Sequence, residues 1–513
     1  MNEFENYSVE QYKSDIDKYG LEKVWDNILL YNELNKISDK SIIHITNFGK
    51  LYEIGLAYVS KENKKESGVY YTPSDVCNVL VDYFKELKGH NICDVCCGVG
   101  NLILAYLKDL GYNKAIETIR SGNIFLYDID KISINICAKS IGLLYGMENI
   151  KYLNVFNCDF LDKNIHLPND SRVISNPPYF KITDISENWE DTSVLKETKE
   201  YYSVFIEKIV KESVASVIIT PFSFISGDKF YSLRKVLDNY SGFIFSFDNI
   251  PGNIFKGKKE GIFNSNSTNS VRAAITVVDN LGEKGFRLSP LIRFGTSERD
   301  ILLNRINLDK LLNKEKQRIT TKNTKYYKCF SDLDNLFKTW KSLSDMSFGD
   351  LLSDEKTEYS LDMPKTCRYF TTATCKSLER SGKTVLYFKN LEYLEYAYVL
   401  LNSSFAYMYW RLYDGAITYA DGLLRSMPVF FNELTDRDKQ EIHKIVFEMV
   451  NLEVRYLVYK KNANVMQENI KFPIKYREKL NKILFKIIGT TMDIKAFDKI
   501  HNNYLYFEKK SIK

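Results

Sequence analysis

The tetrapeptide Asn176-Pro177-Pro178-Tyr179 follows directly on an apolar run, Arg172 to Ser175, that reads as a buried strand. An asparagine side-chain oxygen beside a backbone carbonyl held rigid by proline makes two acceptors at a fixed spacing, because each proline ring locks φ. Such a pair suits an exocyclic amine whose lone pair is delocalised into an aromatic ring. Gripping both of its N–H bonds favours the tetrahedral form that can act as a nucleophile. Tyr179 adds a ring face on which a planar base could stack, an interaction worth about 1–3 kcal/mol. Taken alone, the segment could also be a Pro-Pro turn at the end of a strand.

Three further strand ends carry polar groups of complementary type. Asp94-Val95-Cys96-Cys97-Gly98-Val99-Gly100-Asn101 closes one predicted strand and opens a helix near Leu102, and its glycines let backbone approach a ligand closely. A third glycine at the usual spacing would suggest a dinucleotide site, but Ile103 stands there. The next strand ends in Asp128-Ile129-Asp130, where a carboxylate could accept both hydroxyls of a ribose. The one after it ends in Asp159-Phe160, an acceptor for a purine amine followed by a ring to lie against it. Either aspartate taken singly could be a helix cap; three successive strands each delivering a fitting group is harder to explain that way.

The elements that must hold these residues form an alternation of short apolar runs and amphipathic helices from about 66 to 282, as expected of a parallel sheet with crossover helices. Predicted strands are 91–95, 123–127, 151–155, 172–175, 216–220, 243–247 and 271–278. Seven strands in this order predict a Rossmann-like α/β domain with its chemistry beyond the carboxyl ends of the strands. Residues 1–65 read as N-terminal helices, 283–432 as a separate mixed domain, and 433–513 as a helical region with Ile442, Ile445, Met449 and Leu452 on one face. With 513 residues the chain exceeds what one core usually holds.

Bulk properties exclude more than they select. The net charge of +5 is mild for this length, and the wealth of Lys, Asn, Ile and Tyr fits an A·T-rich coding sequence as well as it fits phosphate binding. No apolar run approaches the length of a membrane helix, and the polar, acidic N-terminus lacks a secretory core segment, so a cytoplasmic location is expected. Nine cysteines and five scattered histidines show no ligand spacing for zinc, and the Cys93–Cys96 pair reads as buried thiols, so no metal is expected.

The order of these motifs resembles the gamma class of amino DNA methyltransferases of restriction–modification systems. In that class a G-x-Y-Y-T-P segment precedes the glycine turn, as Gly68-Val69-Tyr70-Tyr71-Thr72-Pro73 does here. The resemblance implies a Rossmann-like seven-stranded core dependent on S-adenosyl-L-methionine. It implies that Thr72 touches the cofactor's methionine carboxylate, and that Asp94 and the Gly98 to Gly100 turn surround its methionine part. Asp128 would then hold its ribose and Asp159 its adenine amine, with Phe160 on the ring. Tyr71, Cys97, Asn101, Ile129 and Asn176 complete the implied cofactor pocket. Asn176, Pro177, Pro178 and Tyr179 become the catalytic segment, and Phe205, on the aromatic helix at Tyr201 to Lys208 beside the cofactor, joins Tyr179 and Phe255 as a ring for stacking the substrate base. Phe255 is favoured over Phe263 to cover the second face of a flipped-out adenine.

The implied activity is site-specific N6-adenine methylation of double-stranded DNA, with 283–432 as target-recognition domain and a separately encoded restriction endonuclease as a partner. Arg293, Arg299, Arg368, Arg380 and Arg425 are candidates for base reading, whereas the aromatics between Leu400 and Trp410 fall at helical spacing and read as core. Competing readings are methylation of RNA or of a protein glutamine, and a non-catalytic DNA-binding subunit. The segment before Gly68 is too short for a usual nuclease domain.

Overall fold

The computed structural model describes residues 6–8, 42–44, 72–256, 271–367, 369–415, 417–462 and 465–501. Two compact units divide the chain between Tyr326 and Tyr327.

The first unit is built on an eight-stranded sheet. Its strands are β1 (Asn91–Val95), β2 (Ile124–Asp128), β3 (Asn154–Asn157), β4 (Ser171–Ser175), β5 (Ala215–Pro221), β6 (Ser241–Phe247), β7 (Ala273–Val278) and β8 (Gly285–Ile292), in the order β8-β6-β7-β5-β4-β1-β2-β3. All neighbours pair in parallel except β7, which runs antiparallel between β5 and β6. β6 and β7 are buried along their whole length, as continuous apolar runs in a covered sheet should be, while β3 is a largely exposed edge.

All seven expected strands are present. The third begins three residues late because Met147–Tyr152 winds into a 3-10 turn after Gly146, leaving Val155 and Phe156 to pair with Leu126 and Tyr127. The eighth strand lies beyond the expected boundary at 282/283, so the sheet continues into what the sequence had suggested was a separate domain. Pro290 conceals it: a proline counts against a strand, and here it sits where the β8–β6 register shifts on the sheet edge.

Helix α1 (Ser74–Phe84) is fastened to β4 at its far end, where the Arg172 guanidinium donates to the carbonyls of Phe84, Lys85 and Leu87. Helices α2 (Asn101–Leu110) and α3 (Lys131–Tyr145) follow β1 and β2, and α4 (Tyr201–Glu212) precedes β5. Asn6–Ser8 pairs antiparallel with Ile42–His44. The expected N-terminal helices lie outside the described residues.

The second unit has one aromatic core that joins both of the C-terminal segments expected to be separate. Phe405 meets Phe485 and Phe497 with ring centroids 5.8 and 5.1 Å apart, and Trp340, Tyr396, Tyr407 and Trp410 are fully buried. The aromatics near Trp410 are core, as their spacing suggested. The region from 433 onward is not purely helical: Leu457–Asn462 and Val465–Ile470 form an antiparallel hairpin. Its strands read Leu-Val-Tyr-Lys-Lys-Asn and Val-Met-Gln-Glu-Asn-Ile, which carry neither a helical face nor a period-two alternation to mark them. Among the described residues no helix is long and apolar enough to cross a membrane.

Candidate functional site

Parallel pairing of β4, β1, β2 and β3 brings the carboxyl ends of these strands to one edge of the sheet. Ser175 is registered against Val95, and its Oγ donates to the Val95 carbonyl at 2.6 Å, so the Asn176 segment starts beside the glycine turn. That turn reverses the chain through left-handed positions at Cys96, Gly98 and Gly100. At Gly100, φ is +92°, and a Cβ would lie 2.6 Å from Cys137 Sγ on α3, so both conformation and space require glycine. Asn101 then opens α2 at half-buried depth, and Cys97 is buried with its amide N donating to the Tyr127 carbonyl.

Asp94 is fully buried. Its Oδ2 accepts from the Ile103 amide in the first turn of α2 at 3.1 Å, but Oδ1 has no hydrogen-bond partner among the described residues. Burial pushes its carboxyl well above the ordinary range, with the nearby Asp128 charge adding to the rise and the Ile103 N–H opposing it. Asp128 accepts from the Gly98 and Asp130 amides at 2.7 and 2.8 Å, and burial raises its carboxyl too. The next residue, Ile129, is 72% exposed, an apolar side chain left open beyond the strand end.

Asp159 accepts from the Leu161 amide at 3.0 Å through Oδ1 and from the Trp189 indole at 2.7 Å through Oδ2. Trp189 escaped sequence reasoning because it lies in an irregular segment with no motif. What holds it there is tertiary: Asp162 and Trp189 form an isolated antiparallel bridge, and Lys163 N donates to the Asn188 carbonyl. Phe160 is buried under Phe205, their rings nearly parallel at 5.9 Å, with Tyr127 edge-on and Lys208 Nζ 5.2 Å above. The structure thus brings Phe205 to Phe160, on the β3 side.

The Asn176 side chain is held at both ends. Its Nδ2 donates to Thr72 Oγ1 at 2.9 Å, and its Oδ1 accepts from the Tyr179 hydroxyl, which also lies 2.9 Å from the Ile219 carbonyl. The Thr72 contact orients the amide so that its oxygen faces Tyr179. Pro177 is buried and Pro178 half-buried. The Tyr179 and Phe255 rings meet edge to face, centroids 5.8 Å apart at 64°, so a base entering between them must first part them. Tyr71 and Phe263 lie outside the described residues. Among the described residues no cluster of His, Cys, Asp and Glu could hold a metal.

Two of the arginines considered for base reading are spent on structure. Arg293 is 2% exposed and donates to Asp248, and Arg299 is equally buried against Asp75. Arg380 bonds Asn469 on the hairpin, while Arg425 is half-exposed and paired with Asp421. Arg368 lies outside the described residues.

Residues 44–260 match the family model described as N-6 DNA Methylase. This segment is similar to N-6 DNA methylase domains. The chain is 29% identical to the Type II methyltransferase M.VspI of Vibrio sp. (strain 343), over 33% of this chain and 36% of that protein. It is 24% identical to the Type I restriction enzyme MpnII methylase subunit of Mycoplasma pneumoniae, over 49% of this chain and 47% of that subunit. The chain therefore spans less than half the length of either relative. A nuclease-deletion mutant of the Type ISP restriction-modification enzyme LlaGI in complex with a DNA substrate mimic aligns at 13% identity and a TM-score of 0.43, over 84% of this chain and 60% of that one. The matched segment takes in β1 through β6, the Asn176–Tyr179 segment and Phe255, and stops short of β7 and β8.

Proposed function

We propose that this chain transfers a methyl group from S-adenosyl-L-methionine to N6 of an adenine rotated out of double-stranded DNA, as the modification enzyme of a restriction–modification system. The observation that carries the reading is the Asn176 amide, oriented by Thr72 and followed by a rigid Pro-Pro pair, at a strand end adjacent to the Asp94–Gly100 turn. The residues present suit the methyl donor. A buried carboxylate oxygen without a described partner at Asp94, an open apolar side chain at Ile129, and acceptors at Asp128 and Asp159 supply the groups it needs.

Asp94 and the Gly98–Gly100 turn would hold the donor's methionine part, Asp128 its ribose and Asp159 its adenine amine. When bound, the donor supplies an electrophilic methyl on a sulfonium. Asn176 Oδ1 and the Pro177 carbonyl accept the two hydrogens of the target amine, aim its lone pair and stabilise the positive charge that develops on nitrogen. Tyr179 and Phe255 part to take the base between them, which offsets some of the few kcal/mol needed to unstack it. No strong base is required. The unit at 327–513 is the part we assign to target recognition, together with contacts to partner subunits or a separately encoded endonuclease.

The test is incubation with methyl-labelled S-adenosylmethionine and, separately, unmethylated duplex DNA, RNA and protein, with the product identified by mass spectrometry. N6-methyladenine in DNA is the expected product. Label in RNA or on glutamine, or no cofactor binding at all, would replace this reading with one of its competitors.

A companion prediction concerns Trp189. Replacing it with phenylalanine keeps the ring but removes the N–H that holds Asp159, and a hydrogen bond to a charged group contributes about 1.5–3 kcal/mol. Binding of S-adenosylhomocysteine, measured by calorimetry, is expected to weaken roughly tenfold, with kcat at saturating donor nearly unchanged. A kcat loss at unchanged donor affinity would show that Trp189 acts elsewhere.

A further inference from the structure

Thr72 and Phe255 belong to segments far apart in the chain, and one buried guanidinium holds both. Arg299 is 2% exposed. Its Nε and Nη2 donate to the two carboxylate oxygens of Asp75, with Nη2 to Oδ1 at 3.0 Å. Its Nη1 donates to the Asn253 carbonyl at 2.8 Å, and Nη2 donates also to the Ile254 carbonyl at 2.6 Å. Asp75 lies in the first turn of α1, close behind Thr72, and Asn253 and Ile254 immediately precede Phe255.

The contacts close into a circuit. From Thr72 it runs through Asn176 and Tyr179 to the edge of Phe255, then back through the Asn253 and Ile254 carbonyls, Arg299 and Asp75 to the start of α1. Every member on the near side is assigned above to the donor or the base. The Arg299–Asp75 link touches neither, yet it is buried and fully directional. A lysine could not replace it, because a single ammonium on a flexible stem cannot span both carboxylate oxygens and two carbonyls in one plane.

We propose that Arg299 is a positioning residue tying the donor-side segment Thr72–Asp75 to the Phe255 loop, so that filling the donor pocket steadies the aromatic wall of the base pocket. By linkage, a base held against that wall steadies the donor in return. The inference rests on the methyltransferase reading of the site, and it needs no target sequence to test.

Hydrogen exchange of the full chain, read by mass spectrometry with and without S-adenosylhomocysteine, separates the possibilities. In the unsubstituted protein the ligand is expected to slow exchange severalfold both at 72–80 and at 249–256. In Arg299→Lys the first effect persists, and the second falls to the ligand-free rate. Should Arg299→Lys fail to fold, Asp75→Asn, which keeps side-chain shape and leaves the two carbonyl contacts of Arg299, provides the same comparison. Ligand-induced slowing at 249–256 that survives in the variant overturns the proposal. No slowing around Asp94, Asp128 and Asp159 in the unsubstituted protein overturns the functional reading, and this inference with it.

Discussion

Alanine at position 176 is expected to slow methyl transfer to duplex DNA about a hundredfold or more, with affinity for S-adenosylhomocysteine within roughly threefold of the unsubstituted protein. Removing one preorganised group that stabilises developing charge typically costs 10²- to 10³-fold in rate. Asn176 is half-buried, and each hydrogen bond lost with its amide, to Thr72 and from Tyr179, contributes about 1 kcal/mol to the fold. The Tyr179 hydroxyl keeps the Ile219 carbonyl as acceptor, which leaves the stacking ring in place. Asn176→Asp should fall less far, because a carboxylate still accepts from the amine and the Thr72 hydroxyl can rotate to donate. Single-turnover transfer of labelled methyl measures both variants. Near-normal transfer by Asn176→Ala would remove the observation on which the proposed chemistry stands.

The second large effect is expected at Asp94, where stability and binding should move in opposite directions. Asp94 is buried with one oxygen that has no hydrogen-bond partner among the described residues, and burial lifts its carboxyl well above the ordinary value of 3.8. Because its folded-state pKa is raised, its contribution to stability is fully present below the unfolded pKa and is lost as pH rises through the folded one. Asp94→Asn, which cannot ionise, should therefore melt at the same temperature as the unsubstituted protein in acid and at a higher one as pH increases. The cationic methionine part of the donor would restore the balance by pairing with the carboxylate, so the same variant should bind S-adenosylmethionine about tenfold or more weakly. Melting curves across pH and calorimetric titration check both halves. A variant that loses stability at alkaline pH while binding normally would show that the buried carboxylate serves the fold alone.

The two effects bear on one design. On the proposed function, the buried carboxyl of Asp94 and the Asn176 amide locked in one orientation are preorganised features of the site. The rings are the exception. Tyr179 and Phe255 touch in the structure, so the proposed function requires them to part for a base, and the Arg299 circuit we propose sets how far the Phe255 side can move.

Much of the first unit was legible from residue order alone. Seven strands could be read because a sheet covered on both faces demands runs of apolar residues with little polar interruption, and β5, β6 and β7 have them. Candidate site residues could be nominated because a parallel sheet with crossover helices puts the carboxyl ends of its strands on one edge, so short motifs after successive strands must converge. Asn176, Asp94, Asp128 and Asp159 were nominated on that ground. The eighth strand, with Pro290 at its bulge, and the hairpin at 457–470 broke the periodicities that reveal such elements.

What residue order could not supply were the partners met through space. Trp189 stands in a segment without pattern and becomes significant only because a bridge to Asp162 carries its indole to Asp159. Arg299 and Arg293 looked like surface cations available to DNA, and burial turned both into structural ion pairs. Phe205 faces Phe160, and Phe255 faces Tyr179, pairings set by helix and loop packing. Strand order and motif chemistry follow from local patterns of hydrophobicity and backbone stereochemistry, which a linear string carries in full. Long-range side-chain contacts depend on how whole elements pack, and that is decided only when the chain has closed on itself.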